Sequence, residues 1–299
     1  MNNQVNLRCR IESLAPFYSS ATTVDVLRLD LLHPVVSGNK WYKLKEYLKE
    51  AKQLQKIILT YGGAFSNHIV ATAAAAGWNG LKAVGIIRGE KPDSFSPTLR
   101  QALDFGMELF FISREQYKTK IIPAEVFESY NPEDLYVIPE GGYGVKGVEG
   151  AKGIMLENDT ASYTHILTAV GTGTTLAGIT VSAKKGQKII GVSVLKNNYS
   201  LQQAIEHLLP ANKQKQFDLF HDYHFGGYAK HSKELLAFMN EFYDKTHIPT
   251  DFVYTGKAFF AAFDLLNKGY FSVSDKMLLV HTGGLQGNRS LPKGTLIFS

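Results

Sequence analysis

Five short segments of this chain bring reactive side chains together with glycines. They are SGNKWYKLKEYL (37–48), TYGGAFSNH (60–68), AVGTGTTLAG (169–178), VYTGK (253–257) and VHTGG (280–284). In AVGTGTTLAG an apolar run enters Gly171-Thr172-Gly173-Thr174-Thr175 and then a helical pattern. Glycines let backbone N–H groups approach an anion, the helix start adds partial positive charge, and threonine hydroxyls can donate, which together suit a phosphate. A P-loop would need a following Lys-Ser or Lys-Thr, and Gly171, Gly173 and Gly178 do not have dinucleotide-fingerprint spacing. The plainer alternative is a tight turn without a ligand.

In SGNKWYKLKEYL a turn feeds an amphipathic helix with Lys40 at its start, where the helix dipole disfavours a cation. An amine that must form an imine has to be neutral, whereas an ordinary lysine has a pKa of about 10.4. A positive helix end and nearby Lys43 would lower that value. A solvated basic face is the preferred reading for Lys43 and Lys45, and would be for Lys40 if the motif stood alone. In TYGGAFSNH, Ser66, Asn67 and His68 fall in the first helical turn, where N–H groups and side chains can hold a carboxylate or a phenolate oxygen. Capping by Ser66 or Asn67 is the structural alternative. VYTGK and VHTGG each place Thr-Gly after an apolar, strand-like stretch, with Tyr254 a candidate acid–base group and Thr282 a hydroxyl at a strand end.

Short β-rich runs alternate with helical patterns around these segments. Strands are predicted at 56–61, 82–88, 107–113, 135–139, 165–170, 188–195 and 276–281. Several are apolar without alternation, as in parallel strands buried on both faces. Helices are predicted near 43–53, 67–77, 97–105, 146–156, 174–184, 200–209, 232–246 and 257–268. This is α/β punctuation. Ligands in open α/β sheets sit beyond the carboxyl ends of strands, and two such glycine-rich junctions far apart in sequence predict a cleft between lobes. The small lobe is placed at 44–156, and the large lobe, with the threonine-rich loop, at 1–43 plus 157–299.

Composition sets limits on other functions. The 299 residues are 44% hydrophobic and 20% charged, ordinary globular values. Net charge is +5, but the basic residues are scattered apart from the cluster between Lys40 and Lys52, so no nucleic-acid partner is expected. No apolar run approaches the ~18 residues a membrane helix needs, and MNNQVNLRCRIESLAPF does not read as a signal peptide. A single cysteine excludes an intrachain disulfide and suits a cytoplasmic location. Arg8 and Arg10 could lower the Cys9 thiol pKa, but a cysteine in an N-terminal strand is the preferred reading. Nine histidines form no HExxH or HxH pair, so no metal is expected.

Taken together, SGNKxxKL, GGxxSNH, GTGTT, VYTGK and HTGG, in this order between about residues 22 and 290, resemble the 1-aminocyclopropane-1-carboxylate (ACC) deaminase and D-cysteine desulfhydrase family. The resemblance implies a two-domain tryptophan-synthase-β-like fold (fold type II), each domain an open, mostly parallel sheet flanked by helices. It implies pyridoxal 5′-phosphate (PLP) in the cleft, a small amino-acid substrate and a homodimer. It makes Lys40 the cofactor-bearing lysine and Asn67 the contact to the PLP 3′-oxygen. Gly171, Thr172, Gly173, Thr174 and Thr175 become the phosphate loop, with Thr282 at the cofactor. Ser66, Asn67, His68, Tyr143 and Tyr254 become substrate-binding, and Lys40, Ser66 and Tyr254 catalytic.

One position divides the family. ACC deaminases carry VYEGK, with the glutamate facing the pyridine nitrogen, whereas this chain has Thr255, and Thr282 where the deaminases usually have an apolar residue. A hydroxyl gives a weaker electron sink, which suits α,β-elimination better than ring opening. The expected reaction is therefore D-cysteine to pyruvate, hydrogen sulfide and ammonia. ACC deamination to 2-oxobutanoate, and a PLP-binding or amino-acid-binding protein without turnover, are the alternatives. Tyr42, Phe65, Thr174 and Tyr143 depart from the family pattern at positions expected to line or border the cleft.

Overall fold

Runs rich in Val, Ile and Leu on both faces can bury both faces only in the middle of a layered fold, and they do so here. The computed structural model describes residues 9–18 and 22–298. The start of the N-terminal segment tested for a signal sequence, Arg8, and the large-lobe residues 1–8, 19–21 and 299 lie outside the described residues. The described strands are β1 (Ile11–Ser13), β2 (Thr23–Arg28), β3 (Ile57–Gly62), β4 (Ala83–Arg88), β5 (Met107–Ile112), β6 (Leu135–Ile138), β7 (His165–Val170), β8 (Lys188–Ser193), β9 (Phe217–Phe220) and β10 (Lys276–His281).

They form two sheets. One has the order β5-β4-β3-β6 and is wholly parallel. The other has the order β1-β2-β10-β7-β8-β9 and is parallel except where β1 runs against β2. Parallel neighbours need long crossovers, usually helical. Helix Asn67–Trp78 carries the chain from β3 to β4, and helix Thr174–Ser182 from β7 to β8. Seven strands lie where the apolar runs predict, with His165–Val170 and Lys276–His281 matching residue for residue.

The missed strands have identifiable causes. β2 carries Asp25 and Arg28 inside a buried strand. Asp25 accepts a hydrogen bond from Tyr163 Oη at 2.7 Å, and Arg28 is paired with Asp30 at 2.7 Å and Glu12 at 3.1 Å. A partner from a distant segment makes Asp25 tolerable in the sheet, and carboxylates on the neighbouring strand β1 and two residues on, at Asp30, do so for Arg28; strand periodicity reveals neither arrangement. β1 and β9 have three and four residues, too few for a periodic signal.

Apolar packing fixes the sheets and helices together. On one side of the six-stranded sheet, Phe17, Phe242 and Phe263 form an edge-to-face group with centroids 5.0 and 4.7 Å from Phe17. Burying one such side chain contributes roughly 1.5–3 kcal/mol. Between the sheets, helix Asn39–Gln53 buries Trp41, Tyr42, Leu44 and Leu48 and packs on helix Val145–Ala151. Their approach is so close that a Cβ on Gly150 would lie 2.1 Å from the Tyr42 carbonyl oxygen. Helix Asn39–Gln53 is continuous, so the expected lobe division between residues 43 and 44 falls within it. The Cys9 thiol is pushed up to about 11 by burial, which leaves no basis for a reactive thiolate. No helix among the described residues is long and apolar enough to cross a membrane.

Candidate active site

The carboxyl ends of β3, β4, β7 and β10 converge on a cavity of about 360 Å3. At its base, β7 ends at Val170 and Gly173 turns the chain with φ +84° into helix Thr174–Ser182. The first N–H groups of a helix have no intrahelical acceptor, and here they face a loop of glycines and hydroxyls. The Lys43 Nζ lies 3.4 Å from Thr172 Oγ1. Thr175 Oγ1 accepts a hydrogen bond from Asn39 Nδ2 at 2.9 Å, and Asn39 Oδ1 accepts one from Lys40 Nζ at 2.9 Å. One amide thus couples the Lys40 amine to the threonine-rich loop. Asn39 was missed in the sequence, although it lies inside the SGNK segment.

Lys43 overturns its sequence reading. It is not on a solvated face but buried and lining the cavity, with its pKa held well below the lysine range by burial and by Lys40. Lys45 does lie on the surface, 3.4 Å from Glu157. Lys40 also lines the cavity, and burial lowers its pKa to about 8, against the opposing charge of Asp251. The neutral amine therefore gains population as pH rises toward 8. Capture of PLP by the apoprotein should accelerate about tenfold per pH unit below 8 and level off above it. Stopped-flow absorbance checks this, and a rate still climbing toward pH 10 would show an unperturbed lysine.

Opposite the loop, Ser66 caps helix Asn67–Trp78, accepting from the Ile69 N–H at 3.4 Å. Asn67 Oδ1 and His68 Nδ1 are buried without a hydrogen-bond partner among the described residues, and both residues line the cavity. The His68 tautomer follows from its neighbours. Thr60 Oγ1 gives its proton to the Ile138 carbonyl at 2.7 Å, so its 2.8 Å contact with His68 Nε2 must be donated by the imidazole. Burial, then Lys40 and Lys43, hold His68 neutral well below its usual pKa. Nδ1 is left as an acceptor, suited to an N–H donor and not to the carboxylate expected there.

The third wall comes from the start of helix Thr255–Asn267. VYTGK does not follow a strand; it is the helix cap itself. Asp251 Oδ2 accepts from the N–H groups of Val253 and Tyr254 at 2.9 and 2.8 Å, and Oδ1 from Thr255 N and Oγ1 at 2.9 and 2.8 Å. Asp251 lines the cavity, whereas Thr255 is fully buried behind it. Burial raises the Asp251 pKa against the hydrogen bonds from Thr255 and Tyr254. Tyr254 lines the cavity beside Gly171, where an added Cβ would be 3.0 Å from its Cε1. Its ring meets that of Tyr228 at 6.0 Å and 71°. Burial and the Tyr228 hydroxyl keep the Tyr254 phenol protonated.

Ser66, Asn67, His68, Gly171, Thr172, Gly173, Thr175, Tyr254 and Thr282 are thus brought together with Lys40. Thr174 is packed behind, with Oγ1 3.3 Å from Thr172 Oγ1. Tyr143 does not line the cavity; its hydroxyl donates to the Ala204 carbonyl at 3.3 Å. Tyr42, expected at the cleft, points into the core and contacts Asn158, whereas Phe65 does reach the cavity. Asn39, Lys43, Tyr228 and Asp251 are the additions.

These residues fit PLP. The glycine–threonine loop beside Lys43 offers an anion cradle, Lys40 an amine of lowered basicity, and Asn67 an amide in the cavity wall whose Nδ2 can donate to a ring oxygen. The family model described as "Pyridoxal-phosphate dependent enzyme" matches residues 15–283. A Pyrococcus furiosus protein provisionally described as an ACC deaminase is 30% identical over 283 residues, covering 88% of this chain and 84% of its own. The Arabidopsis thaliana mitochondrial bifunctional D-cysteine desulfhydrase/ACC deaminase is 30% identical over 302 residues, covering 91% of this chain and 75% of its own. A crystal structure described as an ACC deaminase homologue superposes with a TM-score of 0.79 at 26% identity, covering 94% of this chain and 90% of that one.

Proposed function

Because the chain belongs to the PLP-dependent enzymes, within the group that joins ACC deaminases and D-cysteine desulfhydrases, we propose that it eliminates hydrogen sulfide from D-cysteine, the enamine left behind being hydrolysed by one water to pyruvate and ammonia. When bound, PLP supplies an electron sink for charge developing at the substrate α-carbon. In this reading Lys40 secures the aldehyde end, Gly171 to Thr175 with Lys43 hold the phosphate, Asn67 faces the 3′-oxygen and Thr282 the ring. The Ser66 hydroxyl and the N–H groups of its helix hold the substrate carboxylate.

The Lys40 amine, released when substrate takes its place, accepts the α-proton. The Cβ–S bond breaks with its electron pair going to sulfur, and the Tyr254 hydroxyl delivers a proton there. A phenol held above its usual pKa is protonated at neutral pH, so the proton is in place when sulfur departs. Tyr228 lies beside it to replace that proton.

The observation that carries elimination over ring opening concerns the cavity carboxylates. Glu140 is bound to Lys120 at 2.6 Å, and all of the Asp251 hydrogen bonds go to the helix start. Thr255 is spent on Asp251, so the group available at the end of β10 is the Thr282 hydroxyl. A hydroxyl stabilises a protonated ring nitrogen less than a carboxylate does. Elimination tolerates the weaker sink, since charge departs with sulfur. The holoenzyme should therefore release pyruvate and sulfide from D-cysteine at a rate at least about tenfold above 2-oxobutanoate from ACC. A keto-acid screen over D- and L-amino acids and ACC reads both, and faster turnover of ACC reverses the assignment. A cytoplasmic homodimer belongs to the same proposal: a single cysteine suits a reducing compartment, and the family resemblance implies the dimer.

A further inference from the structure

The loop between β9 and helix Lys233–Thr246 delivers Tyr228 to the cavity by an unusual backbone path. Phe225 and Ala229 have φ of 50° and 52°, and Gly226 and Gly227 between them 93° and 113°. Non-glycine residues enter the left-handed region only where their surroundings hold them there. Two turns close this loop, one through Gly227 N–H to the His224 carbonyl at 3.0 Å and one through Lys230 N–H to the Gly227 carbonyl at 3.1 Å. Those same two carbonyls accept hydrogen bonds from Lys257 Nζ, each at 2.8 Å.

Lys257 is a fully buried cation on the first turn of helix Thr255–Asn267, three residues after Tyr254. It does not line the cavity, and among the described residues it has no ion pair with a carboxylate. Burial lowers its pKa to about 8, against the charge of Asp251. Placing a lysine there is costly if its only purpose is to fill space, since an apolar side chain would do so without desolvating an ammonium. Its two acceptors are the carbonyls of His224 and of Gly227, the latter being the residue immediately before Tyr228. We propose that Lys257 is a positioning residue, a latch through which the helix carrying Tyr254 also sets Tyr228 against it. This rests on the reading above that the tyrosine pair serves proton delivery. One helix start then fixes both members of the pair: Tyr254 through the Asp251 cap and Tyr228 through the Lys257 ammonium.

A double-mutant cycle on the holoenzyme tests this, using Lys257→Met, Tyr228→Phe and the combination, with D-cysteine or the best substrate of the screen. Lys257→Met is expected to lower kcat about tenfold with KM within about twofold and the visible cofactor absorbance unchanged. The combined variant should be no slower than Tyr228→Phe alone, because the latch acts only through that hydroxyl. Wild-type kcat in Lys257→Met, or losses that multiply in the combination, would overturn the proposal. Lys257→Gln takes its place if the methionine variant does not fold. Amide hydrogen exchange over residues 224–230 gives a readout independent of chemistry, and should accelerate at least about tenfold without the ammonium. If Tyr228→Phe turns over like wild type, the tyrosine reading fails, and unchanged exchange would then sink the latch on its own.

Discussion

Lys40→Ala should lower turnover by about 10³-fold or more and leave purified protein without the visible absorption of attached PLP. The magnitude follows from two roles lost at once. General acid–base catalysis alone contributes about 10²–10⁴-fold, and covalent attachment of the cofactor is lost with it. The geometry makes the loss specific to the amine. Asn39 remains tied to Thr175 at 2.9 Å whether or not Lys40 donates to it, so the phosphate cradle should persist. The variant should still bind PLP, reversibly and without the absorbance of the attached form. Turnover within tenfold of wild type would remove Lys40 from the chemistry and the proposed reaction with it.

Gly38→Ala is expected to have the largest effect on stability, roughly 3–5 kcal/mol, seen as a fall of about 5–10 °C in Tm. Gly38 has φ 65° and ψ −145°, a region nearly closed to residues with a Cβ. A Cβ there would lie 1.7 Å from the Thr282 carbonyl oxygen, which accepts the Asn39 N–H at 3.1 Å. Backbone cannot swing aside as a flexible side-chain tip can. Relief must separate the strand that offers Thr282 from the helix that offers Lys40, so activity should fall with stability. A melting temperature within about 2 °C of wild type would mean that the two loops are far less tightly joined than their contacts indicate.

The α/β class and the Lys40, Ser66 and Gly171 segments were legible because each rests on local chemistry: an apolar strand, a glycine turn, a helix start. Lys43 was misread although a signal was present. It lies three residues after Lys40, hence on the same helix face, and it is flanked by Tyr42 and Leu44, both buried. Asp251 also had a signal, an acidic residue just before an apolar helical run, as an N-cap would be. Thr255 was given the place of a cavity residue because the side of the helix start facing the ligand depends on which donors the Asp251 carboxylate takes. Tyr228 had no local signal. Its loop reaches the cavity through the Lys257 hydrogen bonds, which span 30 and 33 residues of chain.

The position of β10 has a consequence for synthesis on the ribosome. This strand, near the end of the chain, inserts between β2 and β7, pairing Leu279 with Val26 on one side and with Leu167 on the other. Until it emerges, the nascent polypeptide must keep two apolar strand edges unpaired, the kind of edge that templates aggregation. Contacts joining positions some 250 residues apart form slowly, so the six-stranded sheet closes only after translation has passed His281. Chaperone dependence and heat-sensitive expression should accordingly concentrate in substitutions on β2, β7 and β10, and spare the four-stranded sheet, whose strands are all complete by Ile138.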